Sequence, residues 1–405
     1  MKCERKVMDK ENPKVAIVHD WIPLIGGAER VLEQMLKIYP DAHVYTLFNF
    51  LSDEELKSLG IKNITTSYLN RLPGVKKYYR KLLSFLPMAI EDFDLYEYDL
   101  VLSSSHVVAK GVITGAHQTH VSYVHSPARY AWDLTHQYLT QSNLQKGIKG
   151  YLAKRMLSNF RLWDYRTANG VDHFIGNSGY IKRRIWKVYR READVVYPPV
   201  DLESFDLCEQ KEDFYLTASR MVPYKRLDLI AEAFAGLPDK KLVIIGDGPE
   251  MDKVRSFADN ADNIEVMGYQ KTEVLRDYMR RAKAFIFVAE EDFGIIPVEA
   301  QACGTPVIAY GAGGALETVI DYREDNRNGT GLFFGQQTAD SLKEGVQIFE
   351  TVEEKIKPKS CRKNAESFAP EIFRTRIKII VEEEFKKKVG YNSNVASVLN
   401  HTEAA

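Results

Sequence analysis

Short apolar runs in this chain are each followed by a turn, and several of the turns by apolar residues at helical spacing. The first run is 15–19, the turn that follows carries Gly26 and Gly27, and 28–38 has the three-and-four spacing of a helix. Strand, glycine turn and helix together open a Rossmann-like unit. Further apolar runs at 100–103, 119–124 and 173–176 each give way to polar or helical sequence. This alternation argues for a parallel sheet with helices on both faces. The pattern restarts after residue 200. Strands are expected at 214–218, 241–245, 264–267, 284–288 and 306–309, with helices such as 227–235, 273–281 and 296–302 among them. The fold class is therefore α/β, with two Rossmann-like doubly wound domains.

Length agrees with that division, because 405 residues exceed one ordinary domain and suit two. The expected domains are 1–197 and 198–372, joined through a linker at 195–205 stiffened by Pro198 and Pro199. A Lys- and Glu-rich helix follows from 370, with 373–389 as a separate C-terminal helix, and 390–405 is small and polar enough to expect a disordered tail. Hydrophobic residues make up 45% and charged residues 27%, a globular composition. A net charge of -1 supplies no global field to recruit nucleic acid, and no nucleic-acid partner is expected. Cys3, Cys208, Cys303 and Cys361 lie far apart without metal-ligand spacing, as expected of free thiols. The first residues lack the apolar core of a signal peptide, and no stretch approaches eighteen apolar residues. A cytoplasmic location is expected, with peripheral attachment to the inner face of the membrane as an option.

In the second half, three segments sit just after expected strands, where ligands of open parallel sheets bind. ASRMVPYKR places Arg220 and Lys225 there, fixed cations of the kind a diphosphate needs when no metal is present. GDGPE runs from Gly246 to Glu250, and its glycines permit close backbone approach or a tight turn. EEDFGIIPVEAQACGTPVIAYGAGGALETV is the most informative stretch. It holds Glu291 in a loop with Phe293 and Gly294, then a helix start at Ile295 and Ile296 whose unpaired backbone N–H groups make an anion site. Glu299 lies in the first turns of that helix, where an acidic residue reaches ribose hydroxyls. Gly313, Gly314 and Glu317 repeat the arrangement one unit later. Each residue alone also reads as a turn or surface position, and the combination carries the signal.

The first half is weaker. Gly26-Gly27-Ala28-Glu29 reads as a tight turn or as backbone approach to a phosphate. The full G-x-G-x-x-G fingerprint of dinucleotide enzymes is missing, which counts against a dehydrogenase. YVHSPARYAWD sets His125, Arg129 and Asp133 in a loop after a strand. Asn177 and Ser178 are placed to cap a following helix. Two stretches, 70–87 and 146–163, interleave Lys and Arg with aromatics, a composition that suits helices on an anionic membrane surface as well as plain solvated helices. Asp92-x-Asp94 precedes a strand instead of following one, so it reads as a surface turn and no metal requirement is expected.

Taken in order, GGAE, the VHSP histidine, the NS pair, Arg220 with Lys225, GDGP, Glu291 with Glu299, and GGALE resemble glycosyltransferase family four, from about residue 15 to 385. The resemblance implies the GT-B fold, two Rossmann-like domains facing each other across a cleft, with acceptor binding in the first and nucleotide-sugar binding in the second. It implies a retaining hexosyl transfer and closure of the domains about a hinge. It also implies that the final helix returns to the first domain. By residue, it implies that Arg220 and Lys225 hold the diphosphate and stabilise the leaving group. Glu299 would bind ribose and Glu291 the sugar hydroxyls, while His125 would attend the reacting centre. Gly26 and Gly27 would approach the phosphates, as would Gly246, and the backbone at Gly268, Tyr269 and Gln270 would meet the base. HSPARYAWD is similar to the histidine loop of bacterial surface-polysaccharide transferases. That implies mannose from GDP-mannose and a glycan or lipid-linked acceptor, with a UDP-sugar as the alternative donor. No evident carboxylate nucleophile is present, which leaves front-face retention beside a covalent intermediate. A nucleotide-sugar epimerase and a nucleotide-sugar-binding scaffold are the competing readings.

Overall fold

The computed structural model of the chain describes residues 12–402, with side chains up to residue 390. It divides into two compact units. The first comprises 1–197 with 373–405, and the second comprises 198–372.

The first unit holds seven strands: β1 (Val15–His19), β2 (His43–Thr46), β3 (Ile64–Thr66), β4 (Leu100–Ser105), β5 (Thr119–Val124), β6 (His173–Gly176) and β7 (Ala193–Val195). All pair in parallel, in the order β3-β2-β1-β4-β5-β6-β7. The central strands β1, β4 and β5 are buried along their whole length, as expected where helices cover both faces. The final helix, Pro370–Thr402, lays Phe373, Ile377, Val381, Phe385 and Val389 into the same core as Ile17, Val31 and Tyr123. Those five positions recur every four residues, one face of a helix. Each buried side chain of this size contributes about 1.5–3 kcal/mol.

The second unit holds β8 (Tyr215–Ala218), β9 (Leu242–Ile245), β10 (Ile264–Gly268), β11 (Ala284–Phe287), β12 (Val307–Tyr310) and β13 (Gly331–Phe334). These also pair in parallel, in the order β10-β9-β8-β11-β12-β13. Both sheets are thus doubly wound, with the strand order reversing between β1 and β4 in one and between β8 and β11 in the other.

Two expectations are corrected. The basic stretch 70–87 is not a continuous helix. It folds as short 3-10 turns at Val75–Lys77 and Tyr79–Lys81 before a helix at Leu86–Glu91. Gly74 at φ 66° breaks the chain ahead of the turns, and Val75, Tyr79, Leu83 and Leu86 are drawn into the core. The second correction is the backbone from 390 to 402, which continues the final helix instead of becoming irregular. A single glycine in a helix interior, here Gly390, costs about 1 kcal/mol and does not end it. Residues 403–405 lie outside the described residues, as does Cys3, while Cys208, Cys303 and Cys361 are free.

Candidate functional site

In the second unit the crevice position falls at the carboxyl ends of β8 and β11. The loop leaving β8 closes with a 3-10 turn, Pro223–Lys225, and with Arg226 in the left-handed region at φ 53°. A non-glycine residue there is uncommon and marks a constrained loop. The loop leaving β11 carries Glu291, Phe293 and Gly294. An ion pair between Lys225 Nζ and the Glu291 carboxylate joins the two loops, both side chains more than four-fifths buried. Arg220 stands on the first of these loops with an exposed side chain.

The glycines of the neighbouring turns are explained by contact between loops. A Cβ on Gly246 would lie 1.9 Å from the Ser219 carbonyl oxygen. The loops are stitched by Ser219 N–H to the Ile245 carbonyl at 3.0 Å and Met221 N–H to the Asp247 carbonyl at 2.9 Å. Likewise a Cβ on Gly314 would come within 2.3 Å of Phe293 Cα, and the Gly314 N–H donates to the Glu291 carbonyl at 2.8 Å. GDGP and GGALE therefore hold the two cation- and anion-bearing loops in place.

The helix Ile295–Ala302 starts from Gly294 at φ 85°. The N–H groups of Ile295 and Ile296 fall in its first turn, which has no partners within the helix, and Pro297 has no N–H at all. Glu299 follows, half-buried, and burial pushes its carboxyl up to about 7 against the pull of Arg276. Beyond β9, Gly268 at φ 69° has open space where a side chain would be, and its carbonyl accepts the Gly246 N–H at 2.8 Å. Tyr269 next to it is 78% exposed.

In the first unit a buried polar cluster occupies the corresponding position, at the ends of β1, β4 and β5. Asp20 is fully buried, and its carboxylate accepts four backbone N–H bonds, from His106 (2.5 Å), Val107 (2.9 Å), Val108 (2.6 Å) and Ala109 (2.7 Å). His106 Nδ1 lies 3.0 Å from the same carboxylate. Burial alone would raise the Asp20 pKa, but these donors and His106 hold it well below the usual carboxylate range. Burial likewise works against charge on His106, and Asp20 overcomes it, so His106 titrates higher than usual.

Gly26 caps the helix Gly27–Ile38, and its N–H donates to Glu29 Oε2 at 3.0 Å. Gly26 has an ordinary extended conformation, so the turn itself does not demand glycine there. His125, after β5, is bonded through Nε2 to Ser104 Oγ at 2.8 Å. Burial, with His106 and His19 nearby, keeps its pKa well below 6.5. Asp133 pairs with Arg184 at 2.5 Å, and Ser178 caps the helix Gly179–Tyr189 through the Ile181 N–H at 3.1 Å. Asp94 accepts the Tyr96 N–H at 3.0 Å in an exposed turn. Among the described residues, no three His, Cys, Asp or Glu side chains are grouped to hold a metal ion.

His19, Asp20, Ser104 and His106 were not singled out by the sequence. Their available signal was position, because polar side chains close the apolar runs of β1 and β4 where a core strand has no need of them.

Two family models match. "Glycosyltransferase Family 4" covers residues 25–204 and "Glycosyl transferases group 1" covers 201–368, so together they account for most of the chain. An uncharacterised glycosyltransferase of Methanocaldococcus jannaschii is 26% identical over 88% of this chain and 93% of its own length. An alpha-1,3/1,6-mannosyltransferase of Saccharomyces cerevisiae is 24% identical, over 78% of this chain and 73% of that protein. Among solved structures, the Anabaena protein HepE in complex with UDP superposes with a TM-score of 0.64 at 19% identity, covering 91% of this chain and 100% of that one.

Proposed function

The chain belongs to glycosyltransferase family 4, with the α/β GT-B fold class, and we propose that it is a retaining hexosyltransferase using GDP-mannose. The acceptor in this reading is a lipid-linked or free oligosaccharide of surface polysaccharide synthesis. The observation that carries the reading is the Lys225–Glu291 pair at the strand-order reversal of the second sheet, beside the open first turn of Ile295–Ala302. Cation, carboxylate and helix N-terminus are the three groups that a sugar diphosphate requires there.

On this reading Arg220 and Lys225 take the diphosphate, with the backbone at Gly246, Phe293, Gly294, Ile295 and Ile296 beside it. Glu299 takes ribose hydroxyls, Glu291 takes hydroxyls of the sugar, and the backbone at Gly268 and Tyr269 meets the base. In the first unit Gly26 and Gly27 approach phosphate and His125 attends the reacting sugar. The leaving phosphate takes the acceptor's proton, since no carboxylate nucleophile is assigned, and no metal is required. The mannosyltransferase relative supports the choice of sugar. UDP bound to the Anabaena protein supports a UDP-sugar as the second reading.

Thermal stabilisation by a panel of GDP- and UDP-sugars, with and without chelator, tests the proposal. A donor at about 100 times its Kd stabilises by roughly 2.7 kcal/mol. A shift with GDP-mannose that survives chelator supports it; a shift with UDP-sugars alone moves the donor to the second reading. No shift with any donor removes the assignment.

We also propose peripheral membrane attachment, supported in the first unit by the helix Gly147–Thr167. Ile148 (81% exposed), Tyr151 and Leu152 form an exposed apolar stripe among Lys146, Lys149, Lys154 and Arg155. No described helix is long and apolar enough to cross a membrane.

A further inference from the structure

Ala131, Trp132, Leu139 and Leu157 line a groove of about 410 Å³ in the first unit, with Lys154 and Arg161 on its wall. It lies among the loop that follows His125 and the helices Thr135–Gln141 and Gly147–Thr167. Small-molecule sites enclose roughly 300–1,000 Å³, apolar in the main with a few polar groups set among them. The walls are held in place. Trp132 Nε1 donates to the buried Asp164 carboxylate at 2.7 Å, and Arg161 Nη1 donates to the Ala131 carbonyl at 2.8 Å. Order present before a ligand arrives lowers the entropy lost on binding.

The charge around the groove has one sign. From Leu134 to Trp163 the chain carries Lys146, Lys149, Lys154, Arg155 and Arg161 and no acidic residue. Lys154, an exposed residue, donates to the Gln145 carbonyl at 2.9 Å. Its partner, like that of Arg161, is a neutral carbonyl, which leaves the cationic charge uncompensated. Apolar walls under such cations suit an anionic amphiphile, and phosphate is the anion that Lys and Arg bind well.

We propose that the groove binds the hydrocarbon chain of a lipid phosphate, with Lys154 and Arg161 on the phosphate, and that this lipid carries the acceptor glycan. The acceptor role rests on the transferase reading. Ala131 follows His125 by six residues, at most about 20 Å of chain. The lipid end and the reacting end of one acceptor then fall within that span. Tyr151 of the exposed stripe stands one turn before Lys154 on the same helix, so the lipid enters the groove from a bilayer that this helix touches.

Calorimetric titration of the full chain with farnesyl phosphate, below its micelle concentration and without vesicles, tests the groove. The wild type is expected to bind it at least tenfold more tightly than farnesol or inorganic phosphate. Lys154→Glu changes an exposed charge, and Thr135→Trp puts a ring into the groove from a residue that lines it. Each is expected to weaken farnesyl phosphate tenfold or more, with affinity for the nucleotide-sugar donor unchanged. Lys154→Glu decides alone if Thr135→Trp does not fold. Wild-type affinity in the folded variants overturns the groove and moves the lipid to the exposed stripe. Equal affinity for farnesol and farnesyl phosphate overturns the phosphate contact. Transfer to a free oligosaccharide by a chain that does not bind farnesyl phosphate overturns the lipid site and leaves the transferase reading standing. Binding that both variants weaken, in a chain that no nucleotide sugar stabilises, supports the lipid site and removes the transferase reading, and with it the acceptor role, instead.

Discussion

Lys225 and Glu291 hold each other across the point where the strand order of the second sheet reverses. The pair neutralises a cation where the proposed donor brings two phosphates. On the proposed reading, a diphosphate arriving there would take over the lysine, and the released carboxylate would turn to the sugar hydroxyls. Lys225→Ala should therefore cost transition-state binding of about 1.5–3 kcal/mol, or roughly 10- to 150-fold in kcat/KM. The melting temperature should change by a few degrees at most. Steady-state transfer with the best donor checks this, and near-normal turnover would remove the diphosphate assignment. Glu291→Ala should also reduce turnover more than stability. A variant that only melts earlier would reduce Glu291 to a partner of the lysine.

Glu299 gives a pH dependence. Its carboxyl is raised to about 7 by burial, so the folded protein binds that proton more tightly than the unfolded chain does. Its contribution to stability therefore declines as pH rises from the usual glutamate value of 4.5 through about 7. Ribose hydroxyls donate better to a carboxylate than to a carboxylic acid. Affinity for nucleoside diphosphate should climb through the same range and level off above it. Calorimetric titration of wild type and Glu299→Gln separates this from titration of the phosphate, which both share. Parallel pH profiles in the two proteins would refute the ribose role.

Gly314→Ala should destabilise by about 2–4 kcal/mol, because its Cβ would fall 2.3 Å from Phe293 Cα, a backbone atom that cannot swing aside. The same substitution displaces the loop carrying Glu291, so donor affinity should fall with stability. Denaturant unfolding read together with donor binding tests the coupling; a loss of stability with unchanged binding would show that the loop recovers its position.

Asp20→Ala removes the acceptor of four buried backbone N–H groups and leaves His106 unpaired. Breaking such a buried constellation costs about 3–5 kcal/mol. Because the Asp20 pKa is depressed, its contribution is whole above about pH 4 and is lost as pH falls toward the lowered value. His106 has the opposite sign, since its pKa is raised. Its contribution is whole below about 6.5 and is lost as pH rises through the higher value. Melting curves across pH should show both slopes in the wild type and shallower ones in the variant, where the acid slope is left to other carboxylates held low, such as Asp228 and Asp321.

Repetition of strand, turn and helix along the sequence carries the two-unit fold, and some strands follow it more closely than others. β5 and β6 have the bounds expected from the sequence, as β1 does, because strands buried on both faces are rich in apolar residues, even though β5 also buries Thr119, His120 and Ser122. β2, β3, β7 and β13 are not among the strands expected from the sequence. Each has three or four residues; β3 and β7 lie at sheet edges with little burial to shape the sequence, while β13, also at an edge, is buried at three of its four positions but short. In the second unit the loop residues were legible because glycines and charges cluster within single motifs. In the first unit the Asp20–His106 and His19–Ser104 contacts join residues more than 80 positions apart, so only the sheet topology brings them together.

The proposed membrane attachment runs through the basic helix of the first unit, Gly147–Thr167. Ile148, Tyr151 and Leu152 are three and four residues apart on one face, and each would bury apolar area among acyl chains. The four cations around them are worth about 1 kcal/mol each near an anionic surface. That part weakens as the screening length shrinks from about 10 Å at 0.1 M salt to about 3 Å at 1 M. The protein should therefore float with anionic vesicles at low salt, float less at high salt, and bind neutral vesicles weakly. Replacing Ile148 and Leu152 with Glu should abolish flotation while the fold and donor binding persist, since both side chains are exposed in the free protein. If the wild type stays at the bottom of the gradient with anionic vesicles at low salt, the stripe is a solvated helix face and the attachment is refuted.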